Sequence, residues 1–370
     1  MHNETPTVVQ EDAEKVLREL LDQADEERES IAPERAKDLY LDDKKREHRD
    51  STVTAHRSRL GFFVEWCEEQ GIDDMTDLTA RDLHEYRVWR REEINVVSEK
   101  TQMDTLRTFV RWCETIDAVQ SGLWKKVKSP AIPEGEDADE TVIHIDRARE
   151  VLNYLEKYEY ATTEHITWLV LVETGIRMGA LRALDIEDYH SEAEKPHFGI
   201  VHRPNTYTPI KNGVSGERRV GLSSSACEVL DDYLADQRPD VTDESNREPL
   251  LATSYGRISK STIRTYIYKW SRPCVIGSDC PHGRDPTDCE AANNIDQAPG
   301  CPSSVTPHPI RRGYITHLLQ SGVPVEVVSD RCNVSPAIID QHYDVRSEED
   351  KMHQRQEILG EVFDEAASFD

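Results

Sequence analysis

The chain has 370 residues, enough for two domains that each bury a core of their own. A hydrophobic fraction of 37% excludes a disordered chain, and the longest apolar stretch, residues 166–175, is too short to span a membrane. A net charge of −27 argues against a polyanionic partner unless basic residues are concentrated on one face. The polar, acidic start carries no secretory signal, so we expect a cytoplasmic protein without a membrane partner.

The first third of the chain has the pattern of helices. Residues 1–33 are acidic and are predicted to form a helical arm. Residues 34–128 contain stretches of helically spaced apolar residues without a strand pattern, which predicts a domain of four short helices. One of these helices is predicted to end at Gly71. The next begins with a capping box in which Asp82, three residues after Thr79, takes the usual place of glutamate.

A proline-containing, acidic segment at residues 129–142 is predicted to be a linker, with a long surface loop inside a single domain as the alternative. Residues 143–363 mix helical spacing with two short β-rich segments, at residues 198–204 and 217–222. The sequence therefore predicts a mainly α protein with a small antiparallel β-sheet, in which an α+β domain follows the helical domain.

Four separated basic residues precede a tyrosine in this second domain. Arg177 follows a glycine that is expected to end an apolar helix, and Lys211 lies in a glycine-containing segment between the two β-rich segments. Taken alone, each could be an ordinary surface cation, and the helix dipole would stabilise Arg177. His308 and Arg311 lie three residues apart at the start of a predicted helix, where free N–H groups favour a bound phosphate.

Tyr343 lies on a short predicted helix in the sequence IIDQHYD. Alone it could be an amphipathic surface tyrosine, and the neighbouring His342 is a competing candidate for a catalytic role. A phenol has a pKa of about 10, so it needs a base and a positive field to act as a nucleophile at neutral pH. Arginines can bind phosphate oxygens with two hydrogen bonds each. The residue types together suit attack by a phenol on a phosphate diester.

The order and local contexts of these five residues resemble the tyrosine recombinases, also called the phage integrase family. The resemblance implies that residues 34–128 form a core-binding domain that grips DNA, followed by a catalytic domain. It further implies that Arg177 and Arg311 hold the scissile phosphate, that His308 assists proton transfer from the tyrosine, and that Lys211 protonates the departing 5′ oxygen.

Three positions depart from the family pattern. Ala180 stands where a supporting glutamate is usual, and the turn that carries Lys211 is longer than the common form. Many members have a histidine or tryptophan that contacts the phosphate upstream of the tyrosine. Here Asn333 is expected at that site, or Val334 if the correspondence is offset by one residue. An asparagine could donate a hydrogen bond to the phosphate, whereas a valine could not.

The resemblance implies an enzyme, a site-specific DNA recombinase or integrase that cuts and rejoins duplex DNA through a 3′-phosphotyrosyl intermediate. It implies double-stranded DNA as the partner, a homodimer or tetramer on that DNA, and no cofactor for the chemistry. The departures keep open a non-catalytic, sequence-specific DNA-binding protein with the same fold. A topoisomerase with the same tyrosine chemistry, or a helix-turn-helix regulator built on residues 322–343, are further alternatives.

Four cysteines are concentrated in a glycine- and proline-rich insertion at residues 274–301. In a cytosolic protein such a cluster indicates a metal more than disulfides. Cys274, Cys280, Cys289 and Cys301 are predicted to bind a structural zinc ion, and His282 could replace one of them. Free cysteines in a loose loop, or a disulfide, are the alternatives.

Acidic residues are spread over the whole length, and arginine outnumbers lysine. This composition resembles that of haloarchaeal proteins, which work in a cytosol rich in potassium. The resemblance implies that the negative charge is an adaptation to salt, so that a basic cleft for DNA is compatible with it.

Overall fold

The computed structural model describes residues 28–48, 50–132, 142–344 and 346–367. The chain divides into two compact units, Met1–Asp137 and Ala138–Asp370. The boundary falls within the segment predicted as a linker, of which residues 133–141 lie outside the described residues. Most of the predicted acidic arm, residues 1–27, lies outside them as well.

The first unit is built from helices among its described residues: α1 (Pro33–Glu47), α2 (Asp50–Gln70), α3 (Ala80–Arg91) and α4 (Val96–Glu114). Each helix contributes one large aromatic side chain, at most 1% exposed, to a common core: Tyr40, Phe63, Tyr86 and Phe109. Their rings meet edge to face, the arrangement that aromatic pairs prefer.

Both helix boundaries predicted in this unit are confirmed. Gly71 follows α2 with a φ of 69°, a conformation that glycine adopts without strain. The capping box opens α3, because the Thr79 N–H donates to Asp82 Oδ2 at 2.8 Å and the Asp82 N–H donates to Thr79 Oγ1 at 3.3 Å. These local signals therefore set where the helices begin and end.

The second unit contains longer helices interrupted by short strands. Its helices are α5 (Ile145–Tyr158), α6 (Thr163–Thr174), α7 (Met178–Ala183), α8 (Ser224–Asp232), α9 (Lys260–Ser271), α10 (Glu290–Asn293), α11 (Pro307–Gln320), α12 (Val325–Cys332), α13 (Pro336–His342) and α14 (Glu348–Ala367). Helix α6 is buried on nearly all sides, and α5, α7, α8, α9 and α11 pack against it. The end of α6 therefore lies inside the unit, close to α11.

A three-stranded antiparallel sheet lies in the order β1 (Tyr189–His190), β2 (His197–Ile200) and β3 (Arg218–Gly221). Its register pairs Phe198 with Val220, both fully buried against the core. The two β-rich segments of the sequence are thus β2 and β3. The sequence missed β1 and the hairpin of β4 (Ala252–Thr253) and β5 (Gly256–Arg257), because strands of two residues carry no alternating pattern.

The chain enters the second unit across helix α11. The Ile143 N–H donates to the Pro309 carbonyl at 3.4 Å, and a Cβ placed on Gly313 would lie 2.1 Å from the Ile143 carbonyl oxygen. Only glycine permits this approach. None of the described helices is both long and apolar enough to cross a bilayer.

Candidate active site

Arg177 is placed by the turn that follows α6. Gly175 ends that helix with a φ of 60°, Ile176 is buried, and Arg177 is the first residue before α7. Its guanidinium extends to the C-terminus of α12, where Nη1 donates to the Asn333 carbonyl at 2.7 Å. The position where the family usually has a supporting glutamate, Ala180, is buried in the core, so a main-chain carbonyl orients Arg177 instead.

Arg311 lies one turn into α11 and is 2% exposed. Its Nη1 donates to the Gly175 carbonyl at 2.7 Å and its Nη2 donates to the Cys332 carbonyl at 2.6 Å. One guanidinium therefore joins the end of α6 to the end of α12, and its buried Nε remains without a hydrogen-bond partner among the described residues.

A third arginine, Arg218, completes the cluster, and the sequence analysis missed it. It begins strand β3, and its Nε donates to the Arg331 carbonyl at 2.8 Å. Arg331, Cys332 and Asn333 are consecutive, so three adjacent carbonyls at the end of α12 each accept a bond from a different arginine. The last carbonyls of a helix lack partners within it and carry its negative partial charge, which explains why guanidinium groups gather there.

The three guanidinium groups carry positive charge, and their described hydrogen bonds go to main-chain carbonyls and not to carboxylates. In the described part of the chain, no ion pair joins Arg177, Arg218 or Arg311 to an acidic side chain. Burial and the neighbouring Arg311 lower the pKa of Arg177 to about 10, and the same two causes lower the pKa of Arg218 to about 10. Buried charges are normally paired, so this arrangement in an acidic protein indicates a site for an anion.

Tyr343 packs beside this cluster at the end of α13. It is 6% exposed and belongs to a small apolar core formed by α11, α12 and α13. The Arg312 guanidinium lies 5.7 Å from the centroid of the Tyr343 ring, and the Tyr343 phenol acts electrostatically on Arg177, whose pKa it raises against the larger effect of burial. The structure therefore brings the tyrosine and two of the predicted arginines into one neighbourhood.

The other two predicted site residues, Lys211 and His308, lie on segments that adjoin the arginine cluster. Lys211 is exposed in the connection between β2 and β3, and the next residue, Asn212, donates from Nδ2 to Asn333 Oδ1 at 3.0 Å. His308 lies in the first turn of α11, one turn before Arg311. The spacing predicted one shared helical face, yet His308 is exposed whereas Arg311 points inward to the ends of α6 and α12.

Asn333 and Val334, the two candidates for the position of the family's phosphate-contacting histidine, lie in different surroundings. Val334 is 7% exposed and packs in the apolar core around Tyr343. Asn333 ends α12 with a φ of 50°, and its side chain faces the connection that carries Lys211. Of the two candidates, only Asn333 therefore presents a polar group near the arginines.

The four cysteines of the insertion are free and partly exposed. Burial raises the pKa of the Cys274 thiol, and charges on Cys301 and Cys280 act in the same direction, so three of the four thiols share one electrostatic neighbourhood. Even so, no three Cys, His, Asp or Glu side chains in the described ranges lie in an arrangement that could hold a metal ion. His282 Nε2 instead hydrogen-bonds Ser303 Oγ at 2.8 Å.

Gly175 is expected to be indispensable to the site. A Cβ at this position would lie 2.2 Å from Tyr314 Cδ1, and the positive φ disfavours any side chain. We expect Gly175→Ala to lower the free energy of unfolding by about 2–4 kcal/mol, because backbone strain and the clash with the Tyr314 ring act together. The substitution should also displace Arg177 and the Gly175 carbonyl that Arg311 binds. Urea unfolding monitored by circular dichroism measures this change.

Gly122→Ala is the matched control for Gly175→Ala. Gly122 also has a positive φ, of 77°, but nothing lies within 4 Å of a Cβ built there. Gly122→Ala should therefore lower the free energy of unfolding by the backbone strain alone, about 1–2 kcal/mol. Equal destabilisation by the two substitutions would contradict the argument that the Tyr314 ring closes the space around Gly175.

Comparison with known proteins identifies the family. The sequence profile described as the phage integrase family matches residues 142–343. The chain is 22% identical over 287 residues to tyrosine recombinase XerC 2 of Ralstonia nicotianae, covering 75% of this chain and 71% of the relative. It is 20% identical over 283 residues to tyrosine recombinase XerD of Listeria monocytogenes, covering 76% of this chain and 82% of the relative.

The solved structures add the fold. A dimer of lambda integrase residues 75–356 bound to a COC′ core site superposes with a TM-score of 0.57 at 13% sequence identity, covering 86% of this chain and 97% of that chain. At this identity the likeness establishes the mainly helical fold with its small antiparallel sheets. Because the family profile spans more than half of the sequence, and the arginine cluster and tyrosine lie within it, the chain belongs to the phage integrase family, the tyrosine recombinases.

Proposed function

We propose that this protein is a site-specific recombinase that cuts and rejoins duplex DNA with Tyr343 as its nucleophile. The observation that carries the proposal is the cluster of Arg177, Arg218 and Arg311 beside the Tyr343 phenol, since no acidic side chain of the described residues forms an ion pair with these arginines. A phosphate diester is the anion that such a cluster and such a nucleophile would act on together.

The arginines would stabilise the charge that develops on the phosphate. Attack on a phosphodiester places negative charge on its non-bridging oxygens, and guanidinium groups match that geometry with paired hydrogen bonds. Burial strengthens these interactions, because water no longer competes for the donors. The free Nε of Arg311 is a donor that is already desolvated before DNA arrives.

The covalent step would conserve bond energy. The Tyr343 oxygen attacks the phosphorus as its proton passes to a base, a role that fits His308, and the bond to the 5′ oxygen breaks. Lys211 would give a proton to that departing oxygen, which leaves a 5′ hydroxyl and a 3′-phosphotyrosyl bond. Attack by a 5′ hydroxyl of another strand then reverses the step. Because one phosphodiester is exchanged for another, neither ATP nor a metal is required for this chemistry.

Double-stranded DNA and a second copy of the chain are the partners that we propose. Lambda integrase is described as a dimer on its core site and as a tetramer on a Holliday junction. The same chemistry on two duplexes needs one tyrosine for every strand that is cut, which favours a dimer or tetramer on DNA. The acidic composition further supports work in a salt-rich cytoplasm.

Covalent trapping on DNA tests the proposed function. A duplex nicked close to the scissile phosphate loses its short 5′-hydroxyl fragment after cleavage, so the reverse reaction stops and the protein remains attached. DNA from the neighbourhood of the gene, incubated at high KCl, is expected to yield an adduct that survives denaturation. Specific binding without any adduct would support the non-catalytic DNA-binding alternative, which the departures at Ala180 and Asn333 keep open.

We also propose that the insertion at 274–301 binds one structural zinc ion through its four cysteines. The support is the thiol pattern, the shared neighbourhood of Cys274, Cys280 and Cys301, and a loop with few apolar residues of its own. Because the described side chains do not form a metal-ready group, binding has to draw the loop together.

Elemental analysis of the purified protein is expected to find one zinc ion per chain, and chelation is expected to lower the melting temperature and the cleavage activity together. Cys280→Ser should lose the metal, whereas Cys227→Ser, a cysteine of helix α8 outside the insertion, should retain it. Protein without stoichiometric zinc would show that the cysteines are ordinary thiols.

A further inference from the structure

Lys211 is an exposed side chain on a backbone that is fixed on both sides. The preceding residue, Ile210, is 2% exposed and belongs to the core of the unit. The following residue, Asn212, adopts a φ of 70° and donates from Nδ2 to Asn333 Oδ1 at 3.0 Å. An asparagine tolerates this conformation better than most residues. The connection is thus attached to the C-terminal turn of α12 immediately after Lys211.

A second attachment holds the other end of the same connection. Arg218 donates from Nη1 to the Gly216 carbonyl at 2.9 Å and from Nε to the Arg331 carbonyl at 2.8 Å. Gly216 itself lies so close to its neighbours that a Cβ would come within 2.4 Å of the Lys211 carbonyl oxygen and 2.8 Å of Asn333 Nδ2. The segment from Lys211 to Arg218 is therefore fastened at both ends to one turn.

That turn also holds Arg177, through the Asn333 carbonyl at 2.7 Å. Asn333 therefore uses its main chain for the arginine and its side chain for the connection. We propose that Asn212, Asn333 and Arg218 are positioning residues that hold Lys211 where it can protonate the departing 5′ oxygen. The inference rests on the proposed function and adds to it the means by which this chain, with its long turn, places its general acid.

The position of a proton donor strongly affects the rate of the step that it catalyses. Proton donation by a positioned group contributes about 10²- to 10⁴-fold to a rate, and a displacement of about 1 Å can cost about 100-fold. Lys211 is otherwise a long, solvated side chain with many rotamers. Its contribution therefore depends on how well its backbone is held.

Substitution by glycine removes the side-chain hydrogen bond between Asn212 and Asn333 but keeps the backbone conformation at both positions. Asn212→Gly and Asn333→Gly both suit a positive φ, and Asn333→Gly retains the carbonyl that Arg177 binds. We expect each variant to cleave ordinary DNA about 10- to 100-fold more slowly at saturating DNA, with DNA affinity unchanged. Because the two share one hydrogen bond, the double variant should lose no more than the worse single variant.

A substrate with a better leaving group identifies the step that is affected. In DNA whose scissile 5′ oxygen is replaced by sulfur, the bond that breaks releases a thiolate, which leaves without taking a proton. Lys211→Ala should therefore cleave this DNA at nearly the wild-type rate, and so should both glycine variants. A direct contact between Asn333 and the phosphate predicts instead that the defect of Asn333→Gly persists on the sulfur substrate.

Asn246→Gly is the matched control, because Asn246 also has a positive φ, of 57°, in a turn that begins at Asp243. It should cleave both substrates at the wild-type rate. If Lys211→Ala is rescued by sulfur but the glycine variants are not, or if they cleave ordinary DNA normally, the positioning role is wrong while the proposed function stands. If the wild-type protein forms no adduct on either substrate, the proposed function itself fails.

Discussion

Replacing Tyr343 with phenylalanine is expected to abolish the covalent protein–DNA adduct while DNA binding is unchanged. The substitution removes only the hydroxyl that would attack phosphorus. The ring is 6% exposed and packs among apolar side chains of α11, α12 and α13, and phenylalanine retains that packing. The free energy of unfolding should therefore change by less than about 1 kcal/mol.

Trapping on a nicked duplex, followed by denaturing electrophoresis, measures the loss of the adduct, and a gel-shift titration measures binding. Tyr255→Phe is the matched control, since Tyr255 is 98% exposed in the turn between β4 and β5. An adduct that survives in Tyr343→Phe would show that another residue is the nucleophile. His342→Ala would then be the next variant to examine.

Arg311→Lys is expected to lower the rate of cleavage by about 10²- to 10³-fold. Lysine keeps the charge, but it cannot bind the Gly175 and Cys332 carbonyls and still offer a further donor to a phosphate, as the proposed role of the guanidinium requires. The loss should be smaller on DNA in which a methyl group replaces one non-bridging oxygen of the scissile phosphate, because less negative charge then develops. Single-turnover cleavage of the two substrates measures both effects.

Arg238→Lys separates this catalytic effect from a structural one. The Arg238 guanidinium also binds main-chain carbonyls, those of Pro249, Pro239 and Val241, but it is not part of the arginine cluster. It should lower stability without changing the rate of cleavage by the folded protein. If Arg311→Lys only lowers stability in the same way, Arg311 is a structural residue and not part of the phosphate site.

The sequence predicted those features of the fold that depend on neighbours along the chain. Gly71 and the pair of Thr79 and Asp82 set helix boundaries through bonds that span a few residues, and their residue types are specific to such turns. The β-rich segments around Phe198 and Val220 were recognisable for the same reason. The two-residue strands were not, since they exist only because of the partner that they meet.

The contacts that form the arginine cluster could not be predicted from the sequence. The bond from Arg177 to the Asn333 carbonyl joins residues 156 positions apart, and its acceptor is a main-chain atom that every residue possesses. No residue type in the sequence marks that acceptor. Arg218 was overlooked for this reason, although it follows Glu217 in a segment already identified as β-rich. The Asn333 side chain could be named as a candidate, but its contact with Asn212 depends on how the long turn folds back.

Helix α12 is only eight residues long, yet its last two carbonyls and that of the next residue, Asn333, bind all three guanidinium groups. Fraying of that turn would break one hydrogen bond of each arginine, and Tyr343, at the end of the next helix, would lose part of its packing in the same event. Heat or denaturant that loosens this turn should therefore weaken several parts of the site together and not one arginine at a time.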